Sequence, residues 1–348
     1  MLYLNCDYNC GAHPAIMKRL EETNFEYTGT YGIDKYSESA KQRIREACGD
    51  PDADIFFLIG GTQTNATVID ALLKPWQGAV SAPSGHINVH EAGAIEFTGH
   101  KVIALPNHDD GKIRPHELEE VFRAYRADES RDHIVEPELV YLSFPTELGT
   151  MYSAQELTAI HNVTKKYNGR LYIDGARLGY ALGAEGNDVT LEYLAEHCEA
   201  FYIGGTKVGA LFGEAIVFPH HGAPEHFFTF IKQHGALLAK GRITGLQFDT
   251  LFTDGLYEEI GRQADALAKQ IPELFVKYDK GLLAVNSRTN QQFIIIRNSL
   301  LPQLNEQVRF EKWGAVDAEH TMCRFVTSWS TTQQDIDDLE KILATIAD

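Results

Sequence analysis

Lys207 stands in the run Tyr202-Ile203-Gly204-Gly205-Thr206-Lys207-Val208-Gly209-Ala210, and Tyr172-Ile173-Asp174-Gly175-Ala176-Arg177-Leu178 precedes it. Each run is apolar up to a charged residue, as a buried strand is when it ends at a site. A lysine framed by small residues can form a Schiff base with a carbonyl cofactor. A carboxylate can pair with a protonated ring nitrogen, and an arginine can hold a substrate carboxylate. Together the three side chains suit pyridoxal phosphate (PLP) carrying an amino-acid substrate. Taken singly they are weaker: Asp-Gly-Ala-Arg could be a surface turn with an ion pair of little energetic consequence, and Lys207 a solvated lysine. Their succession at neighbouring strand ends favours chemistry. Asp174 is expected to stay ionised against the ring nitrogen, and Thr206 is a ready phosphate donor.

Three further segments fit the same site. Gly60-Gly61-Thr62-Gln63 lies between an apolar run and a helical one. Amides free at a helix N-terminus suit a phosphate. The run is neither G-x-G-x-x-G nor a P-loop, so a nucleotide site is disfavoured. His86 and His90 are four residues apart, a spacing that can hold zinc on one helical face. No third ligand is evident and the H-E-x-x-H order is absent, so no metal is expected. A flat His86 ring stacked on the cofactor is the better reading. Arg324, within the apolar run Cys323 to Val326, is an unusual residue for a strand unless it is paired or faces a ligand. It is read as a second carboxylate-binding arginine.

The elements that must position these residues alternate. Asp54 to Ile59, Lys101 to Leu105, Leu139 to Phe144, Leu171 to Ile173 and Phe201 to Ile203 read as strands. Gln63 to Leu73 and Pro115 to Ala127 read as helices, the second with proline in its first turn. Ser153-Ala154-Gln155-Glu156 is a capping box that opens another helix. Gly213 to Phe218 reads as an antiparallel neighbour. The alternation predicts an α/β fold with a large, mostly parallel sheet covered on both faces. After about Gly245 the pattern changes. One long helix is expected over Leu256 to Tyr278, then strands at Phe293 to Ile296 and Arg324 to Val326. A last helix carries Ile336, Leu339, Ile342 and Ile346 on one face. This predicts a large domain over residues 1–245 and a smaller α+β domain over 246–348.

Bulk properties narrow the function classes. The 348 residues, 44% hydrophobic and 23% charged, are ordinary for a globular protein. The formal net charge of -18 argues against nucleic-acid and anionic-membrane partners. No apolar run approaches a membrane span and the N-terminal run is no signal peptide. The five scattered cysteines fit reduced thiols in a cytoplasm.

Taken together the segments resemble the threonine aldolase branch of the PLP-dependent enzymes, in the aspartate-aminotransferase-like fold type I. The resemblance rests on Cys6-Asp7, Gly11 to Pro14, Tyr31 to Asp34, Gly61-Thr62, His86, Asp174 to Arg177, Thr206-Lys207 and Arg324. It is strongest to low-specificity L-threonine and phenylserine aldolases, through Gly204 to Glu214 and Lys232 to Arg242. The resemblance implies that Lys207 binds the cofactor covalently, Asp174 bonds its ring nitrogen and His86 stacks on its ring. Gly61, Thr62, Gln63 and Thr206 would hold the phosphate, and Arg177 and Arg324 the substrate carboxylate. It further implies a homo-oligomer, dimer or tetramer, in which Arg242 reaches a neighbouring subunit's phosphate and Tyr31 crosses the interface. Two positions depart from the family pattern. Cys6 stands where the family usually has a serine beside the substrate carboxylate. Thr146 and Glu147 stand where many members have a second histidine, so a base near His86, such as a water it holds, is expected to take the substrate's hydroxyl proton. Elimination and transamination use the same cofactor chemistry and remain open on these residues.

Overall fold

The computed structural model describes residues 1–347. A short strand, β1 (Leu2–Tyr3), opens the chain. Seven strands follow: β2 (Asp54–Leu58), β3 (Gln77–Ser81), β4 (Lys101–Ala104), β5 (Glu136–Ser143), β6 (Arg170–Asp174), β7 (Ala200–Gly204) and β8 (Glu214–Phe218). They form one sheet in the order β2-β8-β7-β6-β5-β3-β4. All are parallel except β8, which runs antiparallel to both its neighbours. Apolar residues fill both faces: Val140, Leu142, Ile173 and Ile203 on one side, Leu139, Tyr141, Tyr172 and Tyr202 on the other. Burial on both faces explains why these strands read as unbroken apolar runs rather than alternating ones.

The helices expected from sequence form with the caps that their residues dictate. Pro115–Ala127 has proline at its first turn. Ala154–Lys166 is opened by the reciprocal Ser153–Glu156 box. The helix expected over Leu256 to Tyr278 is two, Leu256–Ala268 and Gln270–Lys277. Pro272 accounts for the break: it has no N–H for the Ala268 carbonyl, and its ring crowds that oxygen.

A second sheet takes β12 (Glu311–Ala315), β13 (His320–Val326), β10 (Gln291–Arg297) and β9 (Leu282–Leu283), all antiparallel and in that order. Its core gathers Ile271, Phe275, Ile294, Phe325, Leu339 and Leu343, and also Leu2 and Leu4 from the N-terminus. The chain start is held there because β1 pairs with β11 (Val308–Arg309). In the other direction, Phe248, Leu251, Ile260 and Ala264 pack in the core of the large sheet. The segment after β1, which carries Cys6, Asp7 and Tyr8, therefore passes between the two sheets.

Candidate active site

Strands β5, β6 and β7 end side by side, with Ser143 in register with Asp174. In a parallel sheet this carboxyl edge is where a ligand crevice opens. The chain must pass very close to itself to shape it. A Cβ on Gly175 would lie 1.9 Å from the Tyr202 carbonyl oxygen, and one on Gly204 would lie 2.3 Å from that of Ala176. Glycine therefore lets the end of β6 lie against β7, which brings Asp174 and the Thr206-Lys207 turn to one cavity.

That cavity has a volume of about 310 Å³. His86, Asp174, Arg177, Thr206, Lys207, Gly61 and Thr62 line it, and so do Tyr8, Ser143, Glu147, Tyr202 and Glu214, to which no role was given from sequence. Larger clefts near Lys112 and Asp265 bring together none of the expected residues.

Asp174 is 4% exposed and fully engaged. Its Oδ1 accepts from the Tyr202 hydroxyl at 2.5 Å and the Ala176 amide at 3.0 Å. Its Oδ2 accepts from the Tyr141 hydroxyl at 2.5 Å and Asn65 Nδ2 at 2.9 Å. Burial pushes this carboxyl up, but the field of His86 and the bonds from Tyr141, Tyr202 and Asn65 outweigh it and hold it below its ordinary value. The expected ionised state is thus built by the protein's own donors. Lys207 is lowered too, which for an amine disfavours the charged form. Burial and the repulsion of Arg177 hold its amine below the usual lysine value, against the pull of Asp7, Asp174 and Glu214. A lysine that gives up its proton more readily is a better nucleophile.

His86 is wired to Asp174. Its Nδ1 lies 2.7 Å from Glu91 Oε1, which also accepts from Asn65 Nδ2 at 2.7 Å. Asn65 is wholly buried, and its Oδ1 accepts from the Tyr172 hydroxyl at 2.9 Å. One amide therefore joins the carboxylates that orient His86 and lie beneath the cavity. The signal for part of this was in the strands. Tyr141, Tyr172 and Tyr202 each stand two residues before or at the same face as a strand-end residue, and buried phenols seek a polar partner. Asn65 and Glu91 carried no such mark.

Arg177 reaches the cavity but is held from behind. Its Nε donates to Asp7 Oδ2 at 2.7 Å and its Nη2 to Asp7 Oδ1 at 3.1 Å. Asp7 is 1% exposed and also accepts from Asn290. Arg324 does not line the cavity. Its Nη1 donates to Gln291 Oε1 at 2.9 Å and its Nη2 to Glu311, and its guanidinium lies over Trp313. Trp313 in turn meets His90, and His90 meets His86, so a wall of rings links Arg324 to the site. Cys6 donates its thiol to Asn9 Oδ1 at 3.1 Å. Burial raises its pKa, and Arg324 and Arg177 pull it back.

The phosphate group of residues is only partly assembled. Gly60 offers no side-chain cap to the helix Gly61–Leu72, whose bonding begins at Thr64. The amides of Gly61, Thr62 and Gln63 are thus free to meet an anion. The Gln63 side chain turns away and donates to the His234 carbonyl at 3.0 Å. Thr206 donates its hydroxyl to Glu214 Oε1 at 2.8 Å. Arg242 and Tyr31 lie outside the cavity. Arg242 donates to the Thr23 carbonyl at 2.8 Å, and Tyr31 lines a separate cleft beside Gly241. Among the described residues no cluster of three or more His, Cys, Asp or Glu could hold a metal ion.

These residues fit PLP. Asp174 supplies a buried carboxylate for a ring nitrogen, Lys207 an amine for a covalent link, His86 a flat side chain and the Gly61–Thr62 turn an anion cradle.

The sheet order and the position of this cavity define an α/β protein of the aspartate-aminotransferase-like fold type I. A Thermus thermophilus aspartate aminotransferase variant superposes with a TM-score of 0.70 over 100% of this chain and 92% of its own, at 13% identity. The family model for beta-eliminating lyase matches residues 4–342, and the chain belongs to that family. A threonine aldolase structure from Leishmania major is 36% identical, with a TM-score of 0.94 over 99% of this chain and 98% of that one. A low specificity L-threonine aldolase from a Pseudomonas species is 27% identical over 96% of this chain and 94% of its own length.

Proposed function

We infer that the chain binds PLP through Lys207 and cleaves a β-hydroxy-α-amino acid, of the threonine, allo-threonine or phenylserine type, to glycine and an aldehyde. The observation that carries this is the pairing of Lys207 and Asp174 across one cavity, the amine held below its ordinary value and the carboxyl below its own. The relatives named threonine aldolase support the choice of bond.

When bound, PLP supplies an electron sink for the pair released from the Cα–Cβ bond. The protein's residues do the rest. Lys207 offers an amine that burial and Arg177 make readier to give up its proton for attachment. Asp174, fixed by four donors, would set a negative charge against the ring nitrogen. Arg177, braced by Asp7, presents its remaining guanidinium edge to the substrate carboxylate; Arg324, held by Gln291 and Glu311 outside the cavity lining, is kept as the proposed second donor. Holding that carboxylate fixes which Cα bond stands across the ring, and so which bond breaks. His86 would offer its flat ring to the cofactor's face. We assign Arg242 and Tyr31 to the contact between subunits of a dimer or tetramer, since both lie outside their own chain's cavity. Five free thiols suit a reducing cytoplasm. No helix among the described residues is long and apolar enough to cross a membrane.

The test is product analysis of the PLP-loaded protein with L-threonine, L-allo-threonine and phenylserine. Equal amounts of glycine and the matching aldehyde are expected. Ammonia with a keto acid would move the chemistry to elimination, and an amino-group transfer without glycine would move it to transamination.

A further inference from the structure

Retro-aldol cleavage needs a base at the substrate's β-hydroxyl, and most titratable side chains of the cavity are already committed. Both oxygens of Asp174 are saturated. Both oxygens of Glu214 accept, from the Gly205 amide and the Thr206 hydroxyl. The Tyr202 hydroxyl donates its hydrogen bond to Asp174, Arg177 is clamped by Asp7, and Lys207 is the attachment point. His86 has Nδ1 fixed on Glu91 and its ring against the cofactor's expected place.

Glu147 differs. It follows β5 at the carboxyl edge and lines the cavity, though only 8% exposed. Its Oε1 accepts from the Ser143 hydroxyl at 2.5 Å and from the His86 amide at 2.8 Å. Oε2 takes neither bond. One oxygen is thus pinned by two donors while the other is left for a ligand, an arrangement that fixes direction as a positioned base requires.

Resting on the aldolase reading, we propose that Glu147 is the catalytic acid–base residue that takes the proton from the substrate's β-hydroxyl as the Cα–Cβ bond breaks. The O–H pair becomes the second bond of the aldehyde carbonyl. The Cα–Cβ pair stays with Cα, which later takes a proton to become glycine. The proton received by Glu147 leaves after the aldehyde does. The surroundings suit the task. Burial raises the carboxyl and Asp174 adds to it, while bonds from Ser143 and its own backbone amide, and the nearby His86, restrain it. The neighbouring Tyr141 and Tyr152 phenols are pushed up by burial and bring no charge near neutral pH. A base raised towards working pH is more effective than an ordinary carboxylate.

The experiment compares PLP-loaded wild type, Glu147→Gln and Glu147→Asp. With Gln, PLP absorbance and exchange of the glycine α-proton persist, because neither breaks Cα–Cβ. Cleavage kcat falls by roughly 10²–10⁴-fold with little change in KM. The acidic limb of the kcat profile, where protonation removes the base, disappears. Asp, which keeps the carboxyl, restores part of kcat. Independently of turnover, the infrared band of a protonated carboxyl titrates in wild type at the pH of that limb and is missing in Gln. An unchanged kcat and pH limb in Gln would overturn the assignment, as would equal losses of cleavage and glycine exchange. A wild type that makes no glycine from any of the three substrates would instead sink the aldolase reading itself.

Discussion

Glu214 offers a prediction that depends on electrostatics alone. It is 3% exposed on β8, and burial pushes its carboxyl from 4.5 to about 8, despite bonds from Thr206 and Gly205 and the pull of Lys207. In the unfolded chain the group ionises near 4.5. Between these values the folded protein holds a proton that the unfolded chain has released, so stability falls as pH rises. The loss begins above 4.5 and is complete once pH passes the folded value. Each pH unit in the window costs about 1.4 kcal/mol, and the whole window about 5 kcal/mol. Glu214→Gln imitates the neutral acid: one oxygen still accepts from the Gly205 amide, and the amide nitrogen faces Thr206. Urea denaturation of the PLP-loaded proteins, followed by circular dichroism at constant ionic strength, gives both stabilities. The two should be close near about pH 5. The variant should become the more stable on the way to about pH 9, by up to about 5 kcal/mol. Parallel stability curves across that range would refute the argument that this carboxyl is neutral when folded.

Lys207→Ala should lose both the absorbance of covalently bound PLP and all turnover, and a coloured, active variant would remove Lys207 from its role. Asp7→Asn should lower stability by roughly 3–5 kcal/mol, because it leaves the buried Arg177 charge without its counter-ion; a melting temperature unchanged from wild type would contradict this. Arg324→Lys cannot reproduce a planar fork gripped by Gln291 and Glu311, so KM for L-threonine should rise about 10-fold with a smaller effect on kcat. Steady-state kinetics checks it, and an unchanged KM would take Arg324 out of substrate binding.

Residues that act from their own strand end were legible; those that act through a partner distant in sequence were not. Asp174 and Lys207 were visible because an apolar run points to each. The helix Pro115–Ala127 and the Ser153 box were visible because proline and a capping pair act locally. The partner of Arg177 is 170 positions away, and Asn65 joins two carboxylates 26 and 109 positions from it. No local pattern carries such pairs. Pro272 did carry a local signal that the long helix should break, and the apolar periodicity around it masked that signal. Gln63 shows a different limit. Sequence put it beside the right motif, but its side chain donates to the His234 carbonyl away from the cavity.

Four carboxyls around one cavity follow the same physics to opposite ends. Burial raises all four. Asp7 meets a guanidinium in fork geometry and Asp174 meets four donors with His86 nearby, so both end below their ordinary values. Glu147 and Glu214 receive only neutral hydroxyl and amide donors and no paired cation, so burial prevails and both are raised. Environments that push like groups apart are how one site keeps permanent charges and proton-exchanging groups together. The depressed pair is suited to hold charge, against the arginine and the ring nitrogen. The raised pair is suited to carry protons, and of these only Glu147 has an oxygen that accepts from no other residue. The two roles therefore separate by the number and charge of donors rather than by depth of burial, which is why a variant at Glu214 should reveal itself in stability against pH and one at Glu147 in the chemical step.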